Sequence, residues 1–444
     1  MVPVLIIENK TLTEVIDNGY RDFAIYTLEA RAIPSVVDGL KPVTRKLLYA
    51  MINEHGGKRV KVADLGGISK HNYHHGEKAA IDAALGMAAK WCNTAPLFEG
   101  HGNFGSRMVQ EASGPRYIHA SLSENFKKIF HDTEVAPAAF DTENPEPAYY
   151  LPIIPWVLVN GVGGMAVGFK VEVLPRALVD VINATKAYLK NPKRFLEANE
   201  VIKPTFPNFS GEIIQKGDNQ WVTRGLIKFI GKNTFEISEL PVGYDRETYV
   251  TLLNEMIEKD LIKDYDDECS KTGFGFKVKV SILQKLVIDK NPIKYFKLEK
   301  THTELLTTMG VDGKLKIFTS VAELVGYFCD FRTLKFGHKI DYDKKKIYDE
   351  ILLLSDKQKF IFEVINGSID FKTTTKADLL QFIVDNITGA EHGKAFVRIP
   401  LYEITNDAWL ELGQSIKDLQ NKLAVLDSVT PEKLYQTRLT ALKV

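Results

Sequence analysis

ARAIPSVVDGLKPVTRKLLYAMINEHGG, residues 30–57, sets the architecture of the first third of the chain. Ile33-Pro34 ends a preceding helical run, because proline disfavours helical geometry at the residue before it. Asp38-Gly39, with Pro42 close behind, reads as a tight turn. Beyond it VTRKLLYAMINEHGG (43–57) reads as a short amphipathic helix closed by glycines. Upstream, TLTEVIDNGYRDFAIYTLEAR (11–31) predicts a helix opening on a Thr11–Glu14 capping box. Downstream, EKAAIDAALGMAAKW (77–91) predicts a third, alanine-rich helix. Short helices joined by tight turns and followed by glycine-rich, extended segments suit a helix-turn-helix of the winged type. LPIIPWVLVNGVGGMAVG (151–168) reads as a buried strand, a glycine turn and a second strand.

The texture then changes twice. From about residue 170 to 318 it is β-rich α/β, with strands over GEIIQ, WVTRGLIKFI, NTFEISELPV and FGFKVKVSI and a helix over RETYVTLLNEMIEK. From Ser320 it turns helical, with no proline between Pro292 and Pro400. Ser320 and Glu323 fit a capping box. Apolar residues recur from Leu324 and Phe328 to Ile361 and Ile365, which suggests a helix about 70 Å long at 1.5 Å per residue. Near the C-terminus Trp409, Leu412, Ile416, Leu419, Leu423 and Leu426 alternate steps of three and four, an a/d seam. Two such helices flanking a globular insert at roughly 366–400 imply an antiparallel coiled coil with a knob at its end. The expected organisation is therefore an α/β multidomain (α+β) chain. Residues 1–169 form an N-terminal helix and a winged-helix domain, 170–318 a separate α/β domain, and 319–444 a coiled coil with a helical knob.

A chain of 444 residues that is 45% hydrophobic and 26% charged is ordinary soluble globular composition. It holds no apolar run of eighteen residues and no signal peptide. Cys92, Cys269 and Cys329 lie far apart in unlike contexts, which fits a reducing cytoplasm and argues against a disulfide framework. The net charge of zero hides a segregation. Residues 31–130 carry 14 Lys/Arg against 8 Asp/Glu, with six of the ten histidines. A basic domain on a neutral chain is the charge layout of a DNA-contacting module on a larger scaffold.

Among possible chemical sites, HNYHHGE (71–77) lacks a second Cys/His pair at zinc spacing. GVGGMAVG (161–168) departs from both the dinucleotide and Walker patterns and reads better as a turn between strands. DYDDE (264–268) reads as a charged, solvated, helical stretch. SGPRYIHAS (113–121) differs, because it sets Arg116 directly before Tyr117, one of 17 tyrosines. A phenol with a pKa near 10 needs local positive charge before it can attack phosphorus, and Arg31, Lys41, Arg45, Lys46 and His75 lie in the same segment.

In that order and at those separations, ARAIPSVVDGLKPVTRKLLYAM, YHHGE, GHGNFGS, PRY and LVNGVGGMAVG resemble the breakage-reunion subunit of type IIA DNA topoisomerases. That family includes the A-type chain of gyrase, the C-type chain of topoisomerase IV and the C-terminal half of eukaryotic topoisomerase II. Within it the chain looks most like the medium subunits of T4-like bacteriophages. The resemblance implies Tyr117 as a nucleophile forming a 5′-phosphotyrosyl bond and Arg116 as a stabiliser of the transition state. It further implies His75 and Arg31 in the catalytic set, with Lys41, Arg45, Lys46 and His74 as DNA contacts. Met165 stands where the family carries an isoleucine that wedges between base pairs. Ser121 stands where an arginine usually follows the tyrosine, and Lys78 where bacterial gyrases carry a serine associated with quinolone binding.

The resemblance also implies an assembly. The sequence shows no ATPase domain, no acidic metal motif and, past the coiled coil, no DNA-wrapping domain. The helical knob of 319–444 becomes a dimerisation region. The expectation is a homodimer acting on double-stranded DNA in the cytoplasm, that of the bacterial host for a phage-encoded chain. A partner subunit would bind Mg²⁺ and ATP in trans. Relaxation or decatenation is expected rather than supercoiling. The alternative reading is a DNA-binding architectural homologue that has lost catalysis.

Overall fold

Thr11 Oγ1 accepts the Glu14 N–H at 3.2 Å and the Glu14 carboxylate accepts the Thr11 N–H at 2.8 Å, closing the expected capping box. In the computed structural model, which describes residues 11–71, 76–139, 146–270, 273–369, 374–387 and 396–442, the helical run begins at that box. It is α-helical over Leu12–Val15 and Arg21–Thr27 and widens to π turns over Ile16–Tyr20 and Leu28–Ala32. The chain divides into two compact units, one of residues 1–332 with 438–444, the other of residues 333–437.

In the first unit the Asp38-Gly39 turn is fixed from within. Asp38 is fully buried, and its carboxylate accepts the N–H groups of Leu40 at 3.0 Å and Tyr150 at 3.1 Å. Arg45 reaches the same carboxylate through Nε at 2.8 Å and Nη2 at 3.2 Å. Gly39 sits at φ +67°, where a Cβ would lie 2.5 Å from the Val157 nitrogen, so only glycine fits. The helix Pro42–Asn53 then starts with proline in its first turn, where no N–H is needed, and buries Leu47, Leu48, Ala50 and Met51. A 3₁₀ segment Val62–His71 and the helix Glu77–Ala88 pack beside it. Strands β1 (Val60–Lys61), β2 (Phe98–His101) and β3 (His119–Leu122) form an antiparallel sheet with β3 in the centre.

The structure departs from expectation over 151–168. The first strand does not form: Pro152 and Pro155 supply no N–H for a ladder, and Val157–Asn160 is a single helical turn. Gly163 and Gly164 lie in a strand rather than in the turn. β4 (Val162–Ala166) pairs with β5 (Phe169–Val173) around a two-residue reversal at Val167-Gly168, both at positive φ. This hairpin straddles residue 169, where the sequence pattern suggested a domain boundary. At its base Arg176 and Glu304, 1% and 6% exposed, form a bidentate pair with both bonds at 2.8 Å.

The strands expected over GEIIQ and NTFEISELPV form, but the single strand expected over WVTRGLIKFI breaks at Gly225 into Gln220–Arg224 and Leu226–Gly231, which join different sheets. The helix Arg246–Glu258 forms as expected and buries Tyr249, Leu253 and Met256 against Phe235, Ile237, Phe276 and Val278. The acidic stretch expected to be helical is instead an edge strand, Asp264–Asp267. Tyr265 lies opposite Val278, and Lys279 reaches Asp264 at 3.5 Å and Asp266 at 2.9 Å. Charge pairing across the ladder overrode the local preference.

The long helix is Val321–Ile365, 45 residues. Its cap differs in detail from the box: Ser320 Oγ accepts the Glu323 N–H at 3.2 Å, but the Glu323 carboxylate turns to Thr319. In the second unit this helix runs antiparallel to Asn406–Asp427, with Lys344–Asp427 at 2.7 Å towards one end and Gln358 Nε2 donating to the Trp409 carbonyl at 3.0 Å towards the other. Ile416 and Leu419 are buried while Trp409, Leu412, Leu423 and Leu426 are half-buried, which is the predicted seam. Phe360, Ile361, Ile383 and Phe396 form a second core where the helix Lys376–Asn386 joins.

Removing the carboxylate in Asp38→Ala strands the half-buried Arg45 and two backbone N–H groups. The expected loss is about 3–5 kcal/mol of stability, read as a lower midpoint of the denaturant-induced loss of structure. An unchanged midpoint would show that the turn holds without the pair.

Candidate nucleic-acid interface

Tyr117 lies in the long connection between β2 and β3 and is 73% exposed, unusual for so large an apolar ring. Its backbone is nonetheless fixed. The Tyr117 N–H donates to the Gly114 carbonyl at 2.9 Å, and the carbonyls of Pro115 and Ile118 accept the N–H groups of Ala63 and Val62 at 3.2 and 3.1 Å. Arg116 is also exposed, its guanidinium carbon 5.5 Å from the Tyr117 ring centroid. A cation is thus held against the phenol on an ordered turn that faces solvent.

The preceding loop is anchored by a residue that no sequence pattern singles out. Arg107 donates through Nη1 to Glu239 and to the Asn208 carbonyl, both at 2.9 Å, and through Nη2 to the Leu240 carbonyl at 3.0 Å. Its guanidinium also sits 5.2 and 5.3 Å from the ring centroids of Phe209 and Phe274. All these partners lie more than a hundred positions away in the chain, so no local pattern could mark them.

A second group gathers where the first helical run ends. Arg31 is exposed and Lys41 half-buried; Lys41 Nζ donates to the Gly163 carbonyl at 2.7 Å. Burial pushes the Lys41 pKa below the ordinary lysine value, and the nearby Arg31 charge pushes it the same way. Among the described residues neither cation has an acidic partner, so an anion placed there would relieve both. Above them the hairpin raises Met165, 78% exposed and opposite Lys170. The hairpin can lie this close only because residue 164 is glycine, where a Cβ would come within 2.3 Å of the Ala32 carbonyl oxygen.

Two residues read as DNA contacts are committed inside the fold. Arg45 is held by Asp38; burial opposes its charge, but the Asp38 carboxylate outweighs this and holds its pKa above the ordinary value. Lys46 Nζ pairs with Glu146 at 2.6 Å, both nearly buried. His74 and His75 lie outside the described residues. No hydrogen bond, ion pair or ring contact joins the Arg116–Tyr117 pair to the Arg31–Lys41–Met165 group among the described residues. Nor does any group of three or more His, Cys, Asp or Glu side chains there come together to hold a metal ion. No described helix is long and apolar enough to cross a membrane.

The mixed α/β fold of this chain matches that of type II topoisomerase cleavage and religation domains. The profile of the DNA gyrase/topoisomerase IV A-type chain matches residues 31–443, and the chain belongs to this family. It is 36% identical over 422 residues to the DNA topoisomerase medium subunit of Enterobacteria phage T4, covering 93% of this chain and 94% of that one. It is 27% identical to the mitochondrial DNA topoisomerase 2 of Dictyostelium discoideum, over 93% of this chain but 33% of that protein. In structure it is similar to the DNA-binding, cleavage and re-ligation domain of Plasmodium falciparum topoisomerase II. The TM-score is 0.83 at 25% identity, over 96% of this chain and 63% of that one.

Gly164→Ala should displace the hairpin from the Ala32 carbonyl and lower both thermal stability and affinity for duplex DNA. Binding titration beside a melting curve checks this; wild-type values in both would mean that the close approach is not needed.

Proposed function

We propose that the chain is the DNA cleavage and religation subunit of an ATP-dependent type IIA topoisomerase. The observation that carries this reading is the Arg116–Tyr117 pair, exposed on an ordered turn in a member of the family. Tyr117 Oη attacks the scissile phosphorus; an O–P bond forms to the phenol, the P–O bond to the 3′ oxygen breaks, and that oxygen leaves as a hydroxyl. The broken strand stays attached through its 5′ phosphate, and religation is the reverse. Arg116 offsets the charge that develops on the phosphoryl oxygens. His75 and Arg31 are assigned to the same step, and Lys41 holds the backbone beside it. Arg45 and Lys46 act as positioning residues, tying the DGLKP turn and its helix to the body of the domain. Met165 wedges between base pairs and bends the duplex.

The organisation proposed is a winged-helix cleavage domain, an α/β tower domain and a coiled-coil gate that dimerises through its far knob. A two-fold dimer sets one tyrosine on each strand, so that a double-strand break can be opened and resealed. Mg²⁺ and ATP are assigned to a partner protein with ATPase and TOPRIM domains, in line with a relative named as a medium subunit. The exposed apolar residues Leu12, Ile16, Tyr20 and Phe23 on the first helical run support a protein partner. Similarity along nearly its whole length to a medium subunit favours relaxation and decatenation over supercoiling.

Denaturant-trapped cleavage with the partner subunits present tests the assignment. Tyr117→Phe should abolish the covalent protein–DNA adduct while duplex binding stays within about threefold of wild type, since only one hydroxyl is lost. A persistent adduct would discard Tyr117 as the nucleophile. Met165→Ala should reduce DNA bending, measured by fluorescence transfer between the duplex ends, and unaltered bending would remove the wedge from the mechanism.

A further inference from the structure

Two positions beyond the tyrosine, β3 carries His119, and its partners in register are Lys61 on β1 and His101 on β2. Side chains alternate along a strand, so these three stand side by side on one face, with Ser121 and Glu99 in the next row. Phe98 and Ala120, both fully buried, point the other way into the core. The row therefore lies on the outward face of the sheet, and that sheet positions Tyr117.

Two details distinguish it from an ordinary solvated face. His101 Nε2 lies 3.0 Å from Ser121 Oγ, which orients its ring, and Glu99 is already paired with Lys90 at 2.9 Å, leaving the row without a counter-ion among the described residues. The Nδ1 atom of His119 is buried and has no hydrogen-bond partner among the described residues, so nothing inside the protein fixes that ring's tautomer. Like charges directly opposite on neighbouring strands repel, and an anion seated across them removes the repulsion.

We propose that Lys61, His119 and His101 form a phosphate-binding row that grips the DNA backbone beside the strand Tyr117 attacks. This rests on the reading of the Tyr117 face as DNA-contacting. The ligand is a backbone phosphodiester, and each imidazolium donates an N–H to a phosphate oxygen. The other charged group on that face is Glu99, in the next row and paired with Lys90.

The test is duplex binding by the full chain as a function of salt at one fixed pH, for wild type, the His101→Gln/His119→Gln pair and the His101→Lys/His119→Lys pair. Each neutralised phosphate contributes about 0.9 to the slope of log affinity against log salt. The lysine pair should show a steeper slope than the glutamine pair by about one to two such increments, and wild type should bind more tightly than the glutamine pair. A structural role would damage both pairs alike, so the lysine pair binding as weakly as the glutamine pair overturns the proposal. Wild type binding no more tightly than the glutamine pair overturns it as well. A chain that binds no duplex at all counts instead against the functional reading, as does an adduct surviving Tyr117→Phe.

Discussion

A single buried carboxylate organises the basic end of this protein. Asp38 has no access to water, yet it accepts two backbone N–H groups and both arms of the Arg45 guanidinium. An ion in that position is tolerable only when all its lone pairs are satisfied. The constraint works in both directions. It bends the chain at Gly39, starts the helix at Pro42, and brings the Tyr150 segment against the turn. Lys41, one residue before the helix, is thereby delivered to the Gly163 carbonyl and the hairpin that lifts Met165.

The tyrosine loop follows similar logic with a cation at the centre. Arg107 is held by a carboxylate, two carbonyls and two aromatic rings contributed by residues 208–274. Asp132 is likewise held by Arg332 at 2.6 Å and Arg438 at 3.0 Å, residues some two and three hundred positions away. Arginine suits these roles because its planar fork binds two acceptors in one fixed geometry. The exposed residues at the two tips, Tyr117 and Met165, then need no support of their own. Rigid backbone beneath an exposed side chain is what a group reacting with a large external ligand requires.

Where one element's own periodicity decides, the sequence was readable. The Thr11–Glu14 capping box, the helices from Pro42 and Glu77, the strands Glu212–Gly217 and Thr234–Glu239 and the seam from Trp409 to Leu426 all appear where the pattern set them. It misled where a partner strand decides. Gly163 and Gly164 looked like part of a turn, but Glu172 and Val171 across the ladder make them strand. Asp264–Asp267 looked like a solvated helix, but Lys279 on the neighbouring strand makes it an edge strand. Among the basic residues, Arg31 and Lys41 have no acidic partner among the described residues. Arg45 and Lys46 do, because Asp38 and Glu146 reach them in the folded chain.

The sequence by itself determined the family, the order of helices and strands, and the singular Arg116–Tyr117 pair. Those follow from residues near in the chain: caps, periodicity, and motifs in fixed order. Only the tertiary structure decided which cations remain available to an anion and which are neutralised within the fold. It alone showed that Arg107 anchors the tyrosine loop and that Lys61, His101 and His119 share one face. The physical reason is that charge pairing and strand register act through space, at distances of a few ångströms, between residues that the chain separates by tens to hundreds of positions.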